Sequence, residues 1–223
     1  MGRTVAARRL EPTPMSLEAW ADMDEDEPGE LVDGFLEEEE VPTVLHEAVV
    51  SWLIRFLGAW LGASGGWVFG SEMKFAVAAA RGRKPDVSVF LGGTPLPEAQ
   101  ASLARVPPSI MVEVVSPRPR DGRRDRIDKL ADYAAFGVPY YWLIDPQLRT
   151  LEVLALRARR KPELVLSASG GRRAIPGCPG LRLDLDALWA ALDKLPSSPA
   201  APPAPARASR PKRLARPKAR PRS

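Results

Sequence analysis

One short stretch constrains this chain more than any other: Ser109-Ile-Met-Val-Glu-Val-Val115. Apolar and mostly β-branched residues occupy both alternations, so the strand it predicts must be covered on both faces. Spacing elsewhere supplies candidates for the cover. His46 to Leu61 sets Val49, Val50, Leu53, Ile54, Leu57 and Leu61 at helical intervals, and Gly62–Gly66 ends the run. Arg123 to Phe136 repeats the spacing with Ile127, Leu130 and Ala134, closed by Gly137, and a last short helix is expected over Asp184–Leu192.

Further strands are expected at Glu30-Leu-Val-Asp-Gly-Phe-Leu36 (strand and turn), over Trp67–Val77 and over Pro85–Leu91, with Ala78–Lys84 as the turn between the last two. Tyr140–Ile144 and Thr150–Leu154 flank Asp145-Pro146 and predict a hairpin. Helices alternating with strands and finishing in a hairpin predict one α/β domain around a mixed sheet, spanning residues 16–195. Residues 1–15 read as a flexible arm.

Charge divides the chain sharply. Of 32 Lys and Arg residues, eight lie in Pro196–Ser223, where there is no acid. Residues 1–195 therefore hold 24 basic against 28 acidic residues, so the net charge of +4 belongs to the last segment. That segment is rich in Pro, Ala, Arg and Lys with a single Leu, which predicts a disordered tail that attracts polyanions. A single cysteine, Cys178, excludes an internal disulfide, and a single histidine, His46, excludes a multi-histidine metal centre. With no signal peptide and no long apolar run read in it, the chain is expected to be cytoplasmic with no membrane partner.

The candidate chemistry starts at Glu113, a carboxylate inside an otherwise apolar strand. Such a group must be paired, hydrogen-bonded or bound to a cation, and a structural ion pair with an arginine is the competing account. Pro85-Asp86 opens a second strand. If the two strands are neighbours, Asp86 and Glu113 can share a magnesium ion, whose preference is for oxygen ligands and retained water. Asp125, Lys129 and Tyr133 recur at intervals of four and predict one helical stripe aimed at a common point, with Lys129 as the cation of the group. For Lys129 the competing account is a surface pair with Asp125.

These segments resemble the Uma-two family, restriction-endonuclease-like proteins of the PD-(D/E)xK superfamily. The resemblance rests on Pro85-Asp86, Glu113-Val-Val-Ser-Pro, Asp125-Arg-Ile-Asp-Lys129-Leu-Ala-Asp-Tyr133 and Gly137-Val-Pro-Tyr-Tyr-Trp-Leu-Ile-Asp-Pro146. It implies a restriction-endonuclease-like mixed sheet flanked by helices, with Asp86, Glu113 and Lys129 catalytic. Asp86 and Glu113, with Glu30 as a third acid, would hold Mg2+ or Mn2+. His46 and, less closely, Glu72 would border the cleft. The implied reaction is phosphodiester hydrolysis in DNA, with RNA left open, and cutting both strands calls for a homodimer. One departure stands out: the superfamily's lysine follows its acid by two residues, and that place is Val115. The alternative is accordingly a catalytically silent nuclease-fold module that binds nucleic acid or a partner protein through its basic tail.

Overall fold

The structure, a computed structural model, describes residues 13–23, 29–37, 41–62, 64–116 and 124–196. The predicted tail beyond Pro196 and residues 1–12 of the predicted arm lie outside these residues. Of the arm, residues 13–15 are described, and Met15 is held in place. Its N–H donates to the Gly34 carbonyl at 2.7 Å and its side chain packs on a small cluster of Leu17, Trp20 and Leu31.

Elements are numbered in chain order. A short helix α1 (Leu17–Ala21) precedes the hairpin β1 (Glu30–Val32) and β2 (Phe35–Glu37), then α2 (Val44–Leu61). Strands β3 (Trp67–Phe69), β4 (Phe75–Ala78), β5 (Arg81–Arg83), β6 (Val87–Phe90) and β7 (Ile110–Val114) follow. A π-helical segment, Arg124–Lys129, runs directly into α3 (Leu130–Phe136). The chain continues through β8 (Tyr140–Asp145), β9 (Thr150–Ala155), β10 (Glu163–Ala168), β11 (Arg172–Ala174) and β12 (Arg182–Asp184) to α4 (Leu185–Leu192).

Among the described residues six strands form the main sheet in the order β10-β9-β8-β7-β6-β3. It is mixed: β7 runs parallel to β8, and the other neighbours are antiparallel. Strand β7 lies inside the sheet and all five of its residues are buried. Its pleat divides them between two cores. Ile110, Val112 and Val114 face a large cluster built with α2 and α4, while Met111 joins Val115, Tyr133 and Tyr141 on the other face. Glu113 therefore points into the second face by strand alternation. That face is roofed by α3 and by β4, a member of a second sheet of order β2-β1-β5-β4.

The expected mixed α/β fold is the observed one, with α1 and β10–β12 added to the expected elements and two expected segments revised. Trp67–Val77 is not one strand but two short ones, β3 and β4, which enter different sheets. Ala78–Lys84 is not only a turn, because Arg81–Arg83 forms β5 between β1 and β4. Helix α2 has a mean hydropathy of 1.4 and would be long and apolar enough to cross a membrane by length and composition alone. Here Val49, Val50, Leu53, Leu57 and Leu61 line its sheet-facing stripe, which gives the helix a place in the core.

Candidate active site

The antiparallel pairing of β6 with β7 fixes the first two groups. Val87 pairs with Val112 and Ser88 with Met111, so Asp86 lies one step beyond, opposite Glu113 and on the same face. Proline at position 85 stiffens the approach to β6 without removing a bond from it. Asp86 Oδ2 then accepts the Val114 N–H at 2.6 Å, which ties the carboxylate to the neighbouring strand.

His46 meets the same oxygen from α2. Thr43 caps that helix by accepting the His46 N–H at 3.2 Å, and this places the imidazole in the first turn. Its Nε2 lies 3.2 Å from Asp86 Oδ2. Burial favours the neutral ring, but the hydrogen bond and charge of Asp86, with Glu47 beyond, raise its pKa above the ordinary 6.5.

Glu113 is 2% exposed and receives both of its partners from one helical stripe. Lys129 Nζ donates to Oε2 at 2.9 Å and the Tyr133 hydroxyl to Oε1 at 2.6 Å. Asp125, one turn before Lys129, stands 3.9 Å from its ammonium, and the Asp125 carbonyl accepts the Tyr141 hydroxyl at 2.9 Å. Asp125, Lys129 and Tyr133 thus converge, across the junction of the π-helical segment with α3. Lys129 is 3% exposed, so the surface-pair account does not describe it. Burial pushes the Glu113 carboxyl well above the usual range; Lys129 opposes this, while Asp86, Asp125 and Glu30 add to it. Burial works against the Lys129 charge, yet Glu113, Glu30 and Asp125 more than offset it and keep the ammonium protonated.

Glu30 sits behind this group, fully buried. Its Oε2 accepts from Arg83 Nη1 at 2.8 Å and its Oε1 from the Lys84 N–H at 2.9 Å, with Lys129 Nζ 3.3 Å from Oε1. Both oxygens of this expected third ligand are thus engaged by protein donors. Burial raises its carboxyl, but Lys129 and Arg83 outweigh that and hold it below the usual range. Glu72, the weaker of the expected cleft residues, is largely exposed and lies 3.2 Å from Lys84 Nζ. Val115 follows Glu113 onto the same face and packs in hydrocarbon with Met111 and Tyr133.

His46, Glu72, Lys84, Asp86, Glu113, Asp125 and Lys129 border one cleft of about 130 Å³, whose outer lip is Val41, Pro42 and Gln147. Asp86 is outside ion-pair distance of Lys129, so Glu113 is the link between acid pair and cation. Among the described residues no set of three His, Cys, Asp or Glu side chains stands grouped as metal donors. Two residues of the assembly were not singled out from the sequence: Arg83 and Asp132, a buried pair 2.6 Å apart. Their available signal was weak. Asp132 lies three residues past Lys129, on the same side of a helix, and Arg81-Gly-Arg83 has the alternation of a strand.

The family model for Uma2, described as "Putative restriction endonuclease", matches residues 15–186. The chain belongs to the Uma2 family. Its fold is also that of the crystal structure of a "putative nuclease belonging to DUF820" from Anabaena variabilis. The two share a TM-score of 0.65 and 21% identity, over 80% of this chain and 99% of the other. At that identity the likeness concerns the fold. No curated protein matches the chain. Uma2 membership supports a nuclease-like, hydrolytic function, and restriction-endonuclease-like proteins generally use a divalent metal. In this Uma2 chain Asp86, Glu113 and the helix-borne Lys129 border the cleft where β6 begins and β7 ends, with Glu30 behind it.

Proposed function

We propose that this protein is a metal-dependent endonuclease that hydrolyses phosphodiester bonds in DNA, with Asp86, Glu113 and Lys129 as its working residues. The observation that supports this reading is that Asp86, just before β6, and Glu113, in β7, border one cleft with Lys129, which lies 2.9 Å from Glu113. The donor set fits Mg2+ or Mn2+. Asp86 Oδ1 accepts no hydrogen bond from the described residues, and each Glu113 oxygen accepts one bond where it can accept two. Carboxylate oxygens are the ligands those hard ions select.

A divalent ion held by Asp86 and Glu113 would activate water and offset charge on the phosphate. The protein's own groups prepare that chemistry. Val114 N–H and His46 fix Asp86, Tyr133 fixes Glu113, and Lys129 keeps a positive charge beside the carboxylate where charge develops during displacement. The test is cleavage of supercoiled plasmid in magnesium or manganese. Asp86→Ala and Glu113→Ala should each lower the rate by at least about a hundredfold, and Lys129→Met by a similar factor. Cleavage that survives both acid substitutions would rule the reading out. Nicks that outnumber double-strand breaks would point to a monomer in place of the homodimer that the resemblance implies.

Val115 favours one other reading. The place of the superfamily's lysine is filled by hydrocarbon, as expected of a nuclease-fold module that binds DNA or RNA without turnover. Wild-type protein that binds duplex yet never cuts it in either metal would select that alternative.

A further inference from the structure

Lys129 reaches Glu113 on a four-carbon stem from the last position of the π-helical segment. A lysine side chain carries roughly 2 kcal/mol of rotamer entropy, so one partner holds its ammonium only loosely. What stands behind it is a row of groups of alternating sign, buried as far as Asp132 and reaching the surface at Asp33. Lys129 Nζ lies 3.3 Å from Glu30 Oε1. The other Glu30 oxygen takes Arg83 Nη1 at 2.8 Å. Arg83 Nε donates to Asp132 Oδ2 at 2.8 Å with Nη2 2.6 Å from the same oxygen, and Asp132 Oδ1 accepts from Arg81 Nη1 at 2.8 Å. Arg81 closes the row on Asp33, a residue of the β1–β2 turn, with bonds of 2.9 and 3.0 Å.

The row links three segments. Glu30 belongs to β1, Arg83 to β5, and Asp132 to the same helix as Lys129. Arg83 is 1% exposed and Glu30 0%. Charges so placed are costly to desolvate, and removing one partner strands the other. Hydrophobic residues of similar volume would do as well for stability alone. The planar guanidinium does something they cannot. It grips the helix through Asp132 and, with its remaining nitrogen, grips the carboxylate that faces the lysine.

We infer that Glu30, Arg83 and Asp132 are positioning residues that lock the Lys129 ammonium against Glu113. The inference rests on the reading of Lys129 as part of the working site, but its test does not depend on catalysis. The probe is the side-chain ammonium signal of Lys129 in the 1H–15N NMR spectrum of metal-free, 15N-labelled protein, identified by its loss in Lys129→Met. A locked, ion-paired ammonium exchanges its protons with water slowly enough to be seen.

Glu30→Gln and Arg83→Lys should speed that exchange by about tenfold or erase the signal, as loss of one charged hydrogen bond predicts. Arg83→Lys keeps the charge and loses the fork, so it separates geometry from charge. Asp132→Asn serves in the same way if Glu30→Gln does not fold. As a control, Leu31→Ala removes a fully buried side chain from the residue next to Glu30 and should leave the signal in place. A Lys129 signal unchanged in Glu30→Gln, Arg83→Lys and Asp132→Asn, with only thermal stability lowered, would overturn the inference and make the row structural. In an active enzyme the same variants should lower kcat with little change in KM. If wild-type protein cuts no DNA while the signal still responds, the nuclease reading falls and the positioning role stands.

Discussion

His46 is the chain's single histidine, which turns its pairing with Asp86 into a one-signal measurement. Asp86 and Glu47 raise its pKa above 6.5 against the opposing effect of burial. The folded protein therefore holds the imidazole proton more tightly than the unfolded chain does. The associated stability is complete below about pH 6.5 and fades as pH rises through the folded-state value. A proton NMR titration of metal-free protein should place the His46 midpoint above 6.5, and Asp86→Asn should bring it down. A wild-type midpoint at or below 6.5 would mean that the pair does not form. The single cysteine behaves in the opposite manner. Burial pushes the Cys178 thiol up to about 12, which marks it as a packing residue with little thiolate at neutral pH. Residue types at this scale were legible from the start: Glu113 declared itself as a carboxylate among β-branched neighbours. Its partners Lys129 and Tyr133 both lay on the expected stripe, whereas Arg83, which holds Glu30 and Asp132 behind them, came from a segment read as a turn.

Strand β5 shows why that segment was misread. Three residues, Arg81-Gly-Arg83, carry none of the β-branched or aromatic character that marks a strand, and pairing with β1 and β4 makes them one. Gly82 has a packing reason. A Cβ there would lie 2.2–2.7 Å from the Trp20 ring, which is buried and donates its indole N–H to the Gly29 carbonyl at 3.1 Å. Gly82→Ala should therefore destabilise the fold by about 1–3 kcal/mol, the usual cost of overpacking. Urea unfolding measures it, and a midpoint equal to wild type would show that Trp20 gives way freely. Because Arg81 and Arg83 flank this glycine, the same variant should also loosen the hold on Lys129. The helix that bears Lys129 was easier to anticipate. Apolar spacing marked its face, and Gly137, with φ of +99°, ends it in a left-handed turn that few other residues adopt readily. Its π-helical opening left no trace in the apolar spacing, because that departure is one of backbone bonding.

At the scale of the whole molecule, acid and base are segregated. Residues 1–195 carry more acidic than basic residues, while Pro196–Ser223 holds eight cations and no anion. The cleft continues the acidic pattern, with Glu47, Glu72, Asp86, Glu113 and Asp125 along its border. Attraction to a polyanion is thus expected to come from the last segment. Deleting residues 197–223 should weaken binding to a labelled DNA duplex and flatten its salt dependence, by a slope of up to about 7 if all eight cations meet phosphate. Fluorescence anisotropy between low and physiological salt measures this, and equal slopes for both proteins would place the binding surface elsewhere. The alternation of the main helices with strands, the both-faces-buried β7 and the carboxylate set within it follow from periodicity and residue type, which are local properties carried by the chain itself. The pairing of β6 with β7 in a register that sets Asp86 opposite Glu113, and the burial of Glu30, Arg83 and Asp132 around one lysine, are products of folding. They depend on contacts between segments dozens of residues apart, and no local pattern encodes which charge will meet which.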